Sequence, residues 1–232
     1  MSNAKRVAAW AAAALLVLSV SAVVPTASAA GAPTPILPGK LPPAGNAEAG
    51  AEKAVVCSAC HGPNGNSVNP EWPSLAGQNA AYIREQLGMF RAGQRNNPIM
   101  YPLAMPLTDE DISDLSAYFS TQTPTGLEAD PEHWKSGELL YRAGDRVRQI
   151  PSCKACHGPV GRGNPGAGYP ALQAQHSVYT IKQLTDYAAE QRYVDLEGKQ
   201  TRSRNGHMMA TISKRLSADD MRDLAAYIQG IR

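Results

Sequence analysis

The segment Cys-x-x-Cys-His-Gly-Pro is written twice in this chain, at 57–63 and again at 153–159, and its surroundings repeat with it. After the first copy come Pro73-Ser74-Leu75, Gln78, Tyr82, Gln86-Leu87 and Gln94-Arg95. After the second come Pro170-Ala171-Leu172, Gln175, Tyr179, Gln183-Leu184 and Gln191-Arg192. Each copy then closes on a matched acidic stretch, Leu107-Thr108-Asp109-Glu110-Asp111-Ile112 in the first and Leu216-Ser217-Ala218-Asp219-Asp220-Met221 in the second. The period is far longer than the roughly 20–50 residues of a solenoid repeat, so the unit repeated is a domain.

Helix signals dominate both copies. Thr108 with Asp111, and Ser217 with Asp220, have the spacing of an N-cap that binds back three residues on, and the extra acids suit the positive end of the helix dipole. Apolar residues then recur at helical spacing: Ile112, Leu115 and Phe119 with Tyr118, and Met221, Leu224 and Ile228 with Tyr227. The Ala-rich stretch Glu48–Val56 and the segment Gly137–Arg142 read as helices leading to each Cys motif. Gly/Pro-rich loops fill Gly62–Pro73 and Gly158–Pro170. No strand-like alternation is present, so each half is expected to be small and all-α.

The first residues read as an export signal. Lys5 and Arg6 precede an almost wholly Ala, Leu and Val run to Val24, and Ala27-Ser28-Ala29 offers a cleavage site. Residues 1–29 are therefore expected to be removed and the mature protein to be soluble and exported, the alternative being an uncleaved membrane anchor. A Pro/Gly-rich leader at 30–45, a first domain at 46–122, a linker at 123–131 within the stretch Thr121–Pro131 and a second domain at 132–232 follow. The chain holds 22 Lys and Arg against 20 Asp and Glu, and loss of Lys5 and Arg6 would balance them. A near-neutral protein has no electrostatic basis for binding nucleic acid.

Cys57, Cys60, Cys153 and Cys156 are the only cysteines. Exported chains commonly pair four cysteines as two disulfides, but here each pair is followed at once by His61 or His157. Two thiols three residues apart can add across two vinyl groups of one haem, and the adjacent imidazole then reaches its iron as proximal ligand. Two copies imply two covalently attached haem c groups. Aromatics make up only 6% of the chain, and a large apolar cofactor in each domain would supply the missing bulk.

An iron held by one histidine needs a sixth ligand or stays open. Counting back seven residues from Leu107 reaches Met100, and seven from Leu216 reaches Met209, so the repeat places a methionine in the same slot of each half. A thioether trans to histidine raises the potential and closes the iron to outside ligands, which argues for an electron carrier against a dihaem peroxidase. Met105 and Met208 are the nearest rivals. Met89, Met105 and Met221 read as packing residues. Pro63 and Pro159 are candidates to offer a carbonyl to the proximal imidazole. His133 and His176 read as surface residues, and His207 adjoins the ligand segment. The second half carries an insertion, Tyr193–Arg204, whose Lys199, Arg202 and Arg204 suit a solvated loop, with docking of an acidic partner as the alternative.

With these motifs in place, the chain resembles the dihaem cytochrome c4 family over about 45–232. The resemblance rests on the paired Cys-x-x-Cys-His-Gly-Pro segments, the paired Pro-x-Leu-x-x-Gln-x-x-Tyr segments, and the methionines before Leu-Thr/Ser-x-x-Asp. It implies two tandem class I cytochrome c domains packed about a pseudo-twofold axis. It also implies Cys57, Cys60, His61 and Met100 on one haem, and Cys153, Cys156, His157 and Met209 on the other. The partners implied are redox proteins, a terminal oxidase or reductase and also a dehydrogenase, with peripheral membrane association in some members. An alternative within reach of the resemblance is a cytochrome subunit of an oxidoreductase such as a flavin-dependent sulfide dehydrogenase. The long leader and the basic insertion depart from the pattern, and they bear on the partner.

Overall fold

The structure is a computed structural model that describes residues 44–231. The expected signal segment at 1–29 and most of the leader lie outside the described residues. The chain enters the fold at Gly45, and Asn46 then caps the first helix by accepting from the amides of Glu48 at 2.9 Å and Ala49 at 3.3 Å. Helix α1 spans Ala47–Lys53 and α2 spans Val55–His61, so the stretch expected as one helix is broken at Ala54. They are followed by α3, Ala80–Arg91, α4, Met100–Ala104, and α5, Asp109–Thr121. The second half repeats the order with α6, Trp134–Ala143, α7, Lys154–His157, α8, Ser177–Ala188, α9, Gly206–Ser213, and α10, Ala218–Gly230. Among the described residues there is no strand, only three isolated bridges in loops, and no helix is long and apolar enough to cross a membrane.

Both closing helices begin as their sequences require. The Thr108 hydroxyl accepts from the Asp111 amide while the Asp111 carboxylate accepts from the Thr108 amide, and Ser217 and Asp220 do the same. Each closing helix crosses the leading helix of its own half at a glycine. A Cβ on Gly50 would sit 2.1 Å from the Asp114 carbonyl oxygen, and one on Gly137 would sit 1.9 Å from that of Asp223. Only a residue without a side chain lets the two backbones approach so closely. The apolar faces of α5 and α10 are buried as the periodicity predicts. In the first half Ala54, Ile83, Leu115 and Phe119 pack together. The second half has a larger cluster around Tyr141, Leu224, Tyr227 and Ile228.

The two halves join through reciprocal contacts. The Gln78 side chain donates to the Ala171 carbonyl at 2.9 Å and accepts from the Ala171 amide at 2.8 Å. Its repeat counterpart, Gln175, donates to the Ser74 carbonyl at 3.0 Å and accepts from the Ser74 amide at 2.9 Å. Ser74 and Ala171 are themselves matched positions, so the interface is self-complementary in the manner of a twofold dimer. One expectation fails here. His176 occupies the position matched to Asn79 and is buried, with Nε2 2.8 Å from the Ser67 carbonyl of the first half. Asn79 in turn donates to the Tyr169 carbonyl at 2.8 Å. His133 is half-buried and lies 3.2 Å from the Asp223 carboxylate, so it is not a free surface group either.

Between the halves, residues 122–130 run without helix, and they are tied down at both ends. Asn66 donates to the Thr123 carbonyl at 3.1 Å and accepts from the Thr125 amide at 2.7 Å, while Gln229 donates to the Glu128 carbonyl at 2.5 Å.

Candidate haem centres

Helix α2 carries Cys57, Cys60 and His61, and α7 with its preceding residue carries Cys153, Cys156 and His157. Each histidine ends its helix, and the next residue, Gly62 or Gly158, takes a positive φ of 75° or 79° that stops the helix and turns the chain away. The loop then folds back over the ring. His61 Nδ1 lies 2.8 Å from the Pro73 carbonyl and His157 Nδ1 lies 2.9 Å from the Pro170 carbonyl. Donation at Nδ1 fixes the tautomer and leaves Nε2 with its lone pair, the state a metal-binding imidazole needs. The expected carbonyls of Pro63 and Pro159 do not serve. Pro63 opens a short 3₁₀ turn, and its carbonyl accepts from the Asn66 amide at 3.1 Å. A residue two past the histidine still travels away from the ring, whereas the returning end of the loop arrives beside it.

Burial lowers both histidines from their ordinary range, against the opposing pull of the proline carbonyls, so the imidazoles are neutral at neutral pH. Burial likewise pushes the Cys57 thiol up and the Cys153 thiol up to about 11. All four cysteines are unpaired thiols.

Both motifs open into one continuous cavity of about 690 Å³ that spans the two halves. Cys57, Cys60, His61 and Met100 line it on one side, and Cys153, Cys156, His157 and Met209 on the other, with Leu75, Leu87, Leu172 and Leu184 among its apolar walls. Met100 begins α4, its amide donating to Asn97 Oδ1 at 2.8 Å, and Met209 lies within α9. Of the rivals, Met105 is 57% exposed and does not line the cavity. It is therefore neither ligand nor core filler, because α4 ends before it and turns its side chain outward. Met208 does line the cavity, so repeat register is what separates Met209 from it. Met89 and Met221 are buried packing residues. His207 is exposed on α9 and outside the cavity.

The repeat landmarks Tyr82, Gln86, Arg95, Gln183 and Arg192 form a polar cluster that bridges the two halves. Arg95 donates to Gln86 at 2.7 Å and to Gln183 of the other half at 3.2 Å, and Arg192 donates to the Tyr82 hydroxyl at 2.8 Å. Burial holds the Tyr82 and Tyr179 phenols well above their ordinary range, so both are neutral donors. Arg192 Nε is buried without a partner and its side chain lines the cavity. An unmet cationic donor beside an apolar cavity fits a ligand that is apolar in body and carboxylate-bearing at one edge, as haem is. The sequence signal was repetition: Arg95 and Arg192 stand at matched positions, and each bonds across to the other half.

Two thiols, a tied-back imidazole and a thioether, offered twice to an apolar cavity with a buried cation in its wall, fit covalent attachment of two haems. Fold and site together define a dihaem c-type cytochrome. The cytochrome c family model matches residues 47–123 and 136–232. Cytochrome c4 from Thiocapsa roseopersicina is 43% identical over 192 residues, covering 82% of this chain and 95% of that protein. Cytochrome c4 from Azotobacter vinelandii is 40% identical over 197 residues, covering 81% and 90%. The crystal structure of reduced recombinant cytochrome c4 from Pseudomonas stutzeri superposes with a TM-score of 0.74 at 41% identity, covering 82% of this chain and all of that one. The chain belongs to the cytochrome c4 family, and it is an electron carrier, not an enzyme.

Proposed function

We propose that the protein is exported, loses residues 1–29, and carries single electrons in the periplasm between respiratory donors and a terminal oxidase or reductase. In this reading Cys57 and Cys60 would hold the first haem, and His61 and Met100 would be its iron ligands. Cys153 and Cys156 would hold the second, with His157 and Met209. Bound haem supplies a one-electron iron couple. The chain's part is to hold two imidazoles in one tautomer, offer each iron a thioether as a further ligand, and exclude water with apolar walls. Transfer is outer-sphere and needs no bond chemistry at iron.

The observation that supports this reading best is that each histidine has one nitrogen bonded to a loop carbonyl while a methionine from the matched repeat position lines the same cavity. Absorption spectra of the holoprotein with Met100→Ala and Met209→Ala test it. Each variant is expected to lose half of the far-red band from methionine to ferric iron, and the double variant all of it. An unchanged spectrum in Met209→Ala would pass the role to Met208. Rapid cyanide binding at both haems of the unaltered protein would overturn the six-coordinate reading altogether.

A further inference from the structure

Met100 lies five positions after Arg95, but Met209 lies seventeen after the matched Arg192, and the insertion 193–204 accounts for the difference. Its basic residues are exposed, as a solvated loop requires, but the insertion is also anchored to the first half. Residues 194–200 form a small hairpin, closed by the Val194–Gln200 bridge and by Asp195 accepting from Gly198 at 3.1 Å. The hairpin lies over the first half, against the segment that leads into Met100. The Asn96 amide donates to the Val194 carbonyl at 2.7 Å, and the Thr201 hydroxyl donates to the Gln94 carbonyl. Leu196 packs on Gly93, where a Cβ would lie 3.1 Å from its nearest methyl. Tyr193 accepts from Gln86 at 3.2 Å, and the Arg204 amide donates to Glu85 at 2.8 Å. The loop so held continues directly into Asn97, whose side chain and carbonyl accept from the Met100 and Tyr101 amides at 2.8 and 2.9 Å. At its other end the insertion runs into Asn205 and α9, which carries Met209.

We propose that this hairpin is a positioning element for Met100, by which the second half holds the first haem's sixth ligand in place. The proposal rests on the reading of Met100 as that ligand. Its physical content is local. A methionine leaves iron only when its loop opens, and each contact made in the closed state alone lowers the open population. Leu196 and Thr201 are thus positioning residues, acting through Gly93, Gln94 and Asn96. The segment leading to Met209 meets the first half instead through the Arg204 amide on Glu85, just before Asn205 at the N-cap of α9.

The experiment uses the full-length holoprotein with Met209→Ala, so that the remaining far-red band reports the first haem alone. Adding Leu196→Ala and Thr201→Val is expected to speed cyanide binding at that haem about fivefold, the scale of one lost neutral hydrogen bond. Amide exchange at Asn96 and Met100 is expected to accelerate with it, while the urea midpoint for global unfolding stays in place. Thr211→Val, which removes a hydroxyl bonded to His207 at 2.9 Å within the second half, is the control and should leave the first haem unchanged. Cyanide binding and exchange no faster than in the control would overturn the proposal. Failure of the underlying ligand reading shows itself separately, as a far-red band that survives Met100→Ala in the same background.

Discussion

The two halves share a plan and differ in how they fill it. Four residues beyond the glycine where leading and closing helices cross, the first half has Ala54 and the second has Tyr141. Tyr141 is fully buried, packs with its ring tilted against Tyr227 at 5.3 Å and donates to the Gly158 carbonyl at 2.7 Å. Beside Ala54 there is instead a cavity of about 230 Å³, bounded by Gly62, Tyr118 and Phe119 among others. The ionic braces differ too. Lys53 bridges Asp111 and Asp114 on the closing helix at 2.8 and 2.6 Å, whereas the matched Asp220 is held by Arg148, which also binds Asp145 at 2.7 Å. A duplicated domain keeps the crossing and the donor set, which chemistry dictates. It is free to change the packing around them.

If that comparison is right, Tyr141→Ala costs about 3–5 kcal/mol in urea unfolding of the holoprotein, the usual loss for a buried aromatic. Ala54→Leu, which builds into the first half's cavity, should stay within about 1.5 kcal/mol of the parent. Equal effects at the two positions would erase the distinction. The crossings should behave alike instead: Gly50→Ala and Gly137→Ala are each expected to lose about 1–3 kcal/mol, since a backbone carbonyl must move in either case. Gln78→Ala strands the buried amide and carbonyl of Ala171 and should cost about 1–3 kcal/mol. Gln175→Ala, at the less enclosed Ser74, should cost less in the same assay.

The smallest effect is acid dependence. Hydrogen bonds from Lys53 hold Asp111 and Asp114 below the ordinary carboxylate range. A carboxylate depressed in the folded state stabilises above its unfolded pKa of about 4 and loses that contribution as pH falls through the folded value. The difference in Tm between the parent and Lys53→Met should therefore be flat above about pH 5 and shrink below pH 4. In the second half burial opposes ionisation of Asp220, but hydrogen bonds from Arg148 and Ser217 outweigh it and Asp220 is also lowered. Arg148→Met should show the same sign, and a difference growing towards acid in either variant would refute the ionic account.

Much of this was legible before any coordinates. The capping boxes at Thr108 and Ser217, the buried faces of α5 and α10 and the register of Met100 and Met209 all follow from local spacing, because helix geometry is periodic and local. What the sequence hid was non-local. His176 looked exposed because no local pattern marks a histidine that bonds a carbonyl in the other half. The carbonyls beside His61 and His157 belong to Pro73 and Pro170, since loop closure and not adjacency decides which oxygen meets the ring. The basic insertion read as solvated because its charges do point outward, while Tyr193, Leu196 and Thr201 between them face the first half.

By itself, then, the sequence determined that two haems are attached, that each half is helical, and that Met100 and Met209 hold matched positions, because haem attachment and helix formation are set by residue type and spacing. Only the tertiary structure decided that the two donor sets share one cavity, that matched glutamines join the halves, and that the second half braces the first half's methionine loop. Those depend on which surfaces meet, and burial and hydrogen bonding between distant segments leave no period in the chain to read.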